Sequence, residues 1–101
     1  MGLAAREGPM IGPESRLRRR DRVLVQRAAG TLVLLDLEGG QYYALDEVSA
    51  RVWELCDGDH GVGTIAEHIG TEYDAPVSTI YEDVVAFLEE MLDENLLVRE
   101  G

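Results

Sequence analysis

Residues 31–58, TLVLLDLEGGQYYALDEVSARVWELCDG, constrain the fold more than any other stretch of the chain. Thr31 to Asp36 is leucine-rich with a β-branched start, the composition of a strand. Glu38-Gly39-Gly40 is a turn, because Gly accepts positive φ at little steric cost. Gln41 to Leu45 is a second run of strand character, and Asp46 stands where a helix N-cap belongs. Val48, Val52, Leu55 and Cys56 then recur at helical spacing, Trp53 widens the face, and Asp57-Gly58-Asp59 stops the helix. No linker separates strand from helix, so the two must pack directly against each other. A short strand joined in this way to a helical body suits the binding of an extended peptide better than catalysis.

Upstream, Arg22 to Arg27 alternates weakly and predicts a strand that turns at Ala28-Ala29-Gly30, making Gln41 to Leu45 the third strand of a meander. Downstream, Thr64-Ile65-Ala66-Glu67 and Thr79-Ile80-Tyr81-Glu82 read as capping boxes that open a second and a third helix. Asp74-Ala75-Pro76 separates these helices, and the third runs to about Glu94. Leu96-Leu97-Val98 has the composition of a short terminal strand. The expected architecture is therefore α+β, a three-stranded antiparallel sheet followed by three helices, in a layout resembling a winged helix-turn-helix.

Charge divides the chain. All nine basic residues are Arg, against 20 acidic residues, for a net charge of −11. Residues 1–27 hold seven Arg and three acids, whereas residues 28–101 hold two Arg and 17 acids. The acidic part repels phosphate, which argues against nucleic acid as a partner. Residues 1–20 contain three Gly, two Pro and no sustained apolar period. They are expected to form a flexible Arg-rich arm before a domain at residues 21–101. Its Arg18-Arg19-Arg20 run reads as a solvated tail or as an electrostatic docking arm.

The single Cys56 cannot form an intramolecular disulfide, and no apolar run reaches the ~18–20 residues of a membrane span. With no secretory h-region at the start, a cytoplasmic protein is expected. Cys56 has no His or Lys near it in sequence and reads as a buried structural thiol. His60, His68, Asp57 and Asp59 lack regular metal-ligand spacing. Gly58, Gly61 and Gly63 lack the Lys of a phosphate loop. No catalytic residue, metal or cofactor is expected.

The third helix is wider in its apolar arc than one core face requires. At 100° per residue, Ile80, Val84, Phe87 and Met91 cover about −20° to 40°, and Tyr81, Val85, Leu88 and Leu92 about 80° to 140°. Either both stripes are buried, or one faces the core and the other borders a groove. An edge position for Gln41 to Leu45 would favour the groove, since free N–H and C=O groups can pair with an added strand.

The segments LLDLEGGQYYAL, DEVSARVWELCDG, GTIAEHIGTEYDAP and VVAFLEEMLDENLLV, taken in this order, resemble the PqqD family of RiPP recognition elements over about residues 22–98. The resemblance implies binding of the leader of a ribosomally made precursor peptide as an added strand. It implies no catalysis, and delivery of the precursor to a radical-SAM enzyme or to a leader peptidase and cyclase, as in PQQ or lasso-peptide biosynthesis. Carried onto this chain, it implies a template strand of Gln41, Tyr42, Tyr43, Ala44 and Leu45. The helix wall would be drawn from Tyr81, Val84, Val85, Leu88 and Leu92. The competing readings are a DNA-binding winged-helix regulator and a structural subunit of an enzyme complex. The first would need a basic recognition helix where this chain has Glu67, Glu72, Glu82 and Asp83.

Overall fold

The computed structural model describes residues 10–100. Their elements run β1 (Arg16–Arg19), β2 (Val23–Ala28), β3 (Thr31–Asp36), β4 (Tyr42–Leu45), α1 (Glu47–Leu55), β5 (Asp57–Gly61), α2 (Val62–Tyr73), α3 (Val77–Asp93) and β6 (Leu97–Glu100). The strands form two antiparallel three-stranded sheets, β2-β3-β4 and β5-β1-β6. The fold is α+β with three helices, as expected, but the single sheet of the sequence reading is corrected to two.

The meander follows its local chemistry. Ala29 and Gly30, at φ 50° and 83°, join β2 to β3 in a two-residue turn of the primed type, whose twist matches the flanking strands. In the next turn Gly40 has φ 75°, and a Cβ on Gly39 would lie 2.8 Å from Asp36 Oδ2. Asp46 caps α1 by accepting the Ser49 N–H at 2.8 Å. Val48, expected on the packed face of α1, is instead 37% exposed.

The second sheet overturns the expectation of an arm for residues 10–20; residues 1–9 lie outside the described part. Leu17 is 1% exposed in β1, which pairs with β6 on one side and β5 on the other. The Arg run is held by the fold. Arg18 Nε donates to Glu100 Oε1 at 2.8 Å, and Arg20 Nη2 to Glu38 Oε1 at 2.9 Å. Arg19 Nη1 donates to the carbonyl of Glu54 at the end of α1, and to that of Trp53, which also accepts the Cys56 N–H. Asp57-Gly58-Asp59, expected only as a helix stop, begins β5.

Neither expected capping box forms. The helix α2 starts at Val62, where the N–H groups of Val62 and Gly63 donate to the carbonyls of Ser15 and Pro13. A distant backbone segment thus does the work assigned to Thr64. The helix α3 starts at Val77 after Pro76, and no side chain caps it. At its other end Asn95 takes φ 65° and Leu96 N–H reaches back to Met91 O, a left-handed stop that drives Leu96 into the core.

The core is one cluster joining both sheets and all three helices, with Leu17, Leu34, Trp53, Ile65, Leu88 and Leu96 almost fully enclosed. Arg51 ties α1 to α2 through a two-pronged contact with Glu72, at 3.0 and 2.9 Å. Among the described residues, no helix is long and apolar enough to cross a membrane.

Candidate functional site

The strand β4 pairs only with β3, so its other side is an open edge. Which backbone groups are free follows from register. Asp36 N–H donates to Gln41 O at 2.8 Å, Leu34 lies opposite Tyr43, and Leu32 lies opposite Leu45. Hydrogen-bonded and non-bonded pairs alternate along an antiparallel ladder. Tyr43 and Leu45 therefore bond inward to β3, while the N–H and C=O groups of Tyr42 and Ala44 point outward. Side chains alternate as well. Tyr43 and Leu45 lie on the same face as the buried Leu34 and Leu32, and Tyr42, 75% exposed, lies on the opposite face.

Between this edge and α3 lies a cavity of about 370 Å³. Leu45, Phe87 and Met91 supply its apolar lining, and Asp46, Glu90 and Glu94 its acidic groups. A shallower cavity continues along Gln41 and Tyr42 and shares Tyr43 and Glu94. Tyr43 closes the junction between them, its Oη 2.8 Å from both Glu94 Oε1 and Gln41 Oε1. One phenolic proton cannot serve both. The carboxylate is the stronger acceptor, so the Gln41 amide is best turned to donate its NH2 to the phenol oxygen. Donation to Glu94, with burial second, pushes the Tyr43 phenol up to about 12.

Gln41, Tyr42, Tyr43, Ala44 and Leu45, the residues expected to form a template strand, thus sit together at a free edge. The expected helix residues do not line the cavity beside it. Val84 and Leu88 are core residues, 3% and 0% exposed, and Tyr81, Val85 and Leu92 pack against that core. The wall is made by Phe87, from the Ile80 stripe of α3, together with Glu90, Glu94 and Met91, the last of these a core residue 4% exposed that reaches the cavity from within. The signal for them was present in the −20° to 40° arc, but periodicity does not say which stripe meets the sheet edge.

The remaining candidates serve the fold. Cys56 is fully enclosed, and burial pushes its thiol up to about 12. The Asp57 carboxylate accepts the N–H groups of Asp59 and His60 and lies 2.9 Å from His60 Nδ1. The His60 ring, followed by those backbone donors, holds this carboxyl down at about 2. Trp53 faces a separate cavity with Arg19, Val25 and Arg27, away from the β4 edge. The Arg run, which alone favoured a DNA-binding reading, is engaged within the fold.

Fold and cleft together define a small α+β domain with an open edge strand beside an apolar helix. The family model described as coenzyme PQQ synthesis protein D (PqqD) matches residues 31–97, and the chain belongs to that family. The PqqA binding protein of Bradyrhizobium diazoefficiens is 35% identical over 54 residues, 54% of this chain and 52% of that one. The chain thus spans about half the length of this relative. The PqqA binding protein of Rhizobium meliloti is 30% identical over 93 residues, 90% of this chain and 93% of that one.

Solved structures agree with the fold. TbiB1 in complex with the TbiA(beta) leader peptide is 30% identical, covers 79% of this chain and 93% of its own, and superposes with a TM-score of 0.72. The PqqD truncation of Methylobacterium extorquens PqqCD, a functional and stand-alone RiPP recognition element, is 26% identical. It covers 88% of this chain and 95% of its own, with a TM-score of 0.75.

Proposed function

We propose that this domain binds the leader region of a ribosomally made precursor peptide as a fourth strand beside β4. It presents that peptide to a modifying enzyme or leader peptidase and catalyses no reaction itself. The observation that carries the reading is the coincidence of a free strand edge with a cavity of mixed apolar and acidic lining, in a chain 30% identical to a protein solved with a leader peptide. Each backbone hydrogen bond from Tyr42 or Ala44 contributes about 0.5–1.5 kcal/mol net. That gives register and modest affinity. Apolar side chains of the peptide laid over Phe87 add about 25 cal/mol per Å² buried, whereas Met91, 4% exposed, has little area left to cover.

In this reading Gln41, Tyr42, Tyr43, Ala44 and Leu45 are the template, and Phe87 and Met91 are the wall. Val84 and Leu88 support α3 from beneath, with Tyr81, Val85 and Leu92 at its flank. The helices with the β2–β3 hairpin resemble a winged helix-turn-helix used for peptide rather than DNA. A radical-SAM enzyme, or a peptidase with its cyclase, is the partner that would receive the peptide. A reducing cytoplasm suits the free, enclosed Cys56 thiol.

The test is a titration of isotope-labelled protein with a synthetic leader from the precursor encoded beside this gene. Amide shifts confined to Gln41–Leu45 and the C-terminal half of α3 are expected. A saturating titration that leaves those amides unmoved refutes the reading. Trp53 emission is a poor reporter, because its indole is 2% exposed and away from the edge.

A further inference from the structure

We infer that the β4 cleft selects a peptide carrying a cationic side chain, Lys or Arg, two residues from an apolar one. The inference rests on the peptide-binding reading above and specifies its ligand. The site itself stands on the open edge and the cavity; its carboxylates decide only what the site accepts.

Register dictates the spacing. A strand hydrogen-bonded to Tyr42 and Ala44 places the residues opposite Tyr43 and Leu45 on the inner face, pointing toward α3. These two peptide residues are separated by one position. They meet different chemistry because Glu94 lies at the Tyr43 end, where it accepts the phenol proton and borders both cavities. Phe87, two turns earlier on α3, borders only the cavity that also holds Leu45, Asp46 and Ser49, and not the one that continues along Gln41 and Tyr42. Glu90 is one turn before Glu94, and its carboxylate has no partner among the described residues.

No Arg lines either cavity, although Arg residues neutralise Glu38, Glu54, Glu72 and Glu100 elsewhere. A cation opposite Tyr43 would meet Glu94 and Glu90, two exposed carboxylates of like charge, so the preference comes from charge complementarity along the cleft and not from burial. An acidic residue there would face two carboxylates. The apolar residue opposite Leu45 would cover Phe87. Tyr43 is a positioning residue in this scheme, since its hydroxyl holds Glu94 at the edge.

The experiment selects a random twelve-residue peptide library on the full chain and on a Glu90→Gln/Glu94→Gln variant. Gln keeps the acceptor for Tyr43 while removing the charge. Peptides from the unchanged protein should carry Lys or Arg two positions from an aliphatic or aromatic residue. Their affinity should fall about tenfold on the double variant, while a Gln-for-cation version of the same peptide binds both proteins alike. Peptides that shift the β4 amides but carry no cation at that spacing, or bind both proteins equally, overturn the inference and leave the strand-addition reading intact. Selected peptides that leave the β4 amides unmoved overturn both.

Discussion

The hydroxyl of Tyr43 on β4 lies 2.8 Å from Glu94 Oε1, just past the end of α3, and joins the open strand edge to the helix that walls the cleft. The contact makes a pH prediction. Tyr43 titrates at about 12 rather than 10.0, first because its proton is donated to Glu94 and then because the ring is partly buried. A raised pKa means that the folded state prefers the neutral phenol. The contribution to stability is therefore fully present below the ordinary value near 10 and is lost as pH rises through about 12. An ultraviolet titration of the four tyrosines should show late phenolates from Tyr73, raised chiefly by burial, and from Tyr43, with its midpoint at about 12. Glu94→Gln should bring that midpoint down. Four tyrosines titrating together near 10 would contradict the contact.

Proline separates the two sides of β4. Ala44→Pro removes an outward N–H and should abolish strand addition while leaving the thermal transition within a few degrees of the unchanged protein. Tyr43→Pro removes an inward donor to β3 and should destabilise the domain by about 3 kcal/mol or more, by analogy with interior proline elsewhere. Peptide titration beside thermal melts distinguishes the two variants. Destabilisation by Ala44→Pro with Tyr43→Pro tolerated would mean that the ladder parity is reversed.

Cys56 is expected to be inert. With the thiol fully enclosed and raised to about 12, a thiol reagent should modify it only as fast as the domain unfolds, so its rate should follow denaturant concentration. Cys56→Ser should cost about 1–3 kcal/mol, because it leaves a buried hydroxyl short of partners. Rapid labelling of the native protein would place the thiol at the surface.

Ala29 occupies the left-handed region at φ 50°, which costs an L-residue with a Cβ about 1–2 kcal/mol. Gly or Asn at this position should relieve part of that cost and raise stability by about 0.5–1 kcal/mol in denaturant melts, with no change in peptide binding. A loss of stability would show that the hairpin turn differs from the one described.

Much of this architecture was legible where the signal is local. Gly40 announces its turn, Asp46 caps α1, and the leucine-rich run from Thr31 to Asp36 is the strand β3. Each of these needs only residues within a few positions. The strand β1 was not legible, since Arg16-Leu17-Arg18-Arg19 offers one apolar residue among charges. It is a strand because β5 and β6, about 40 and 80 positions away, supply its hydrogen bonds, and because Leu17 fills the core they enclose. Thr64 and Thr79 carry capping signatures that go unused. In α2, the Pro13 and Ser15 carbonyls already satisfy the N–H groups that a cap would have served.

The same division holds at the cleft. Sequence alone determined a strand at Gln41–Leu45 running directly into a helix, and a third helix with an apolar arc wider than one core face requires; the edge position of that strand came from the sheet order. Only tertiary structure decided that Phe87 and Met91, rather than Leu88 and Leu92, look onto that strand. A helix repeats every 3.6 residues whichever neighbour it meets, so its periodicity names the stripes but not their partners. The partners are assigned by how α3 crosses β4, and that angle is set by contacts throughout the core.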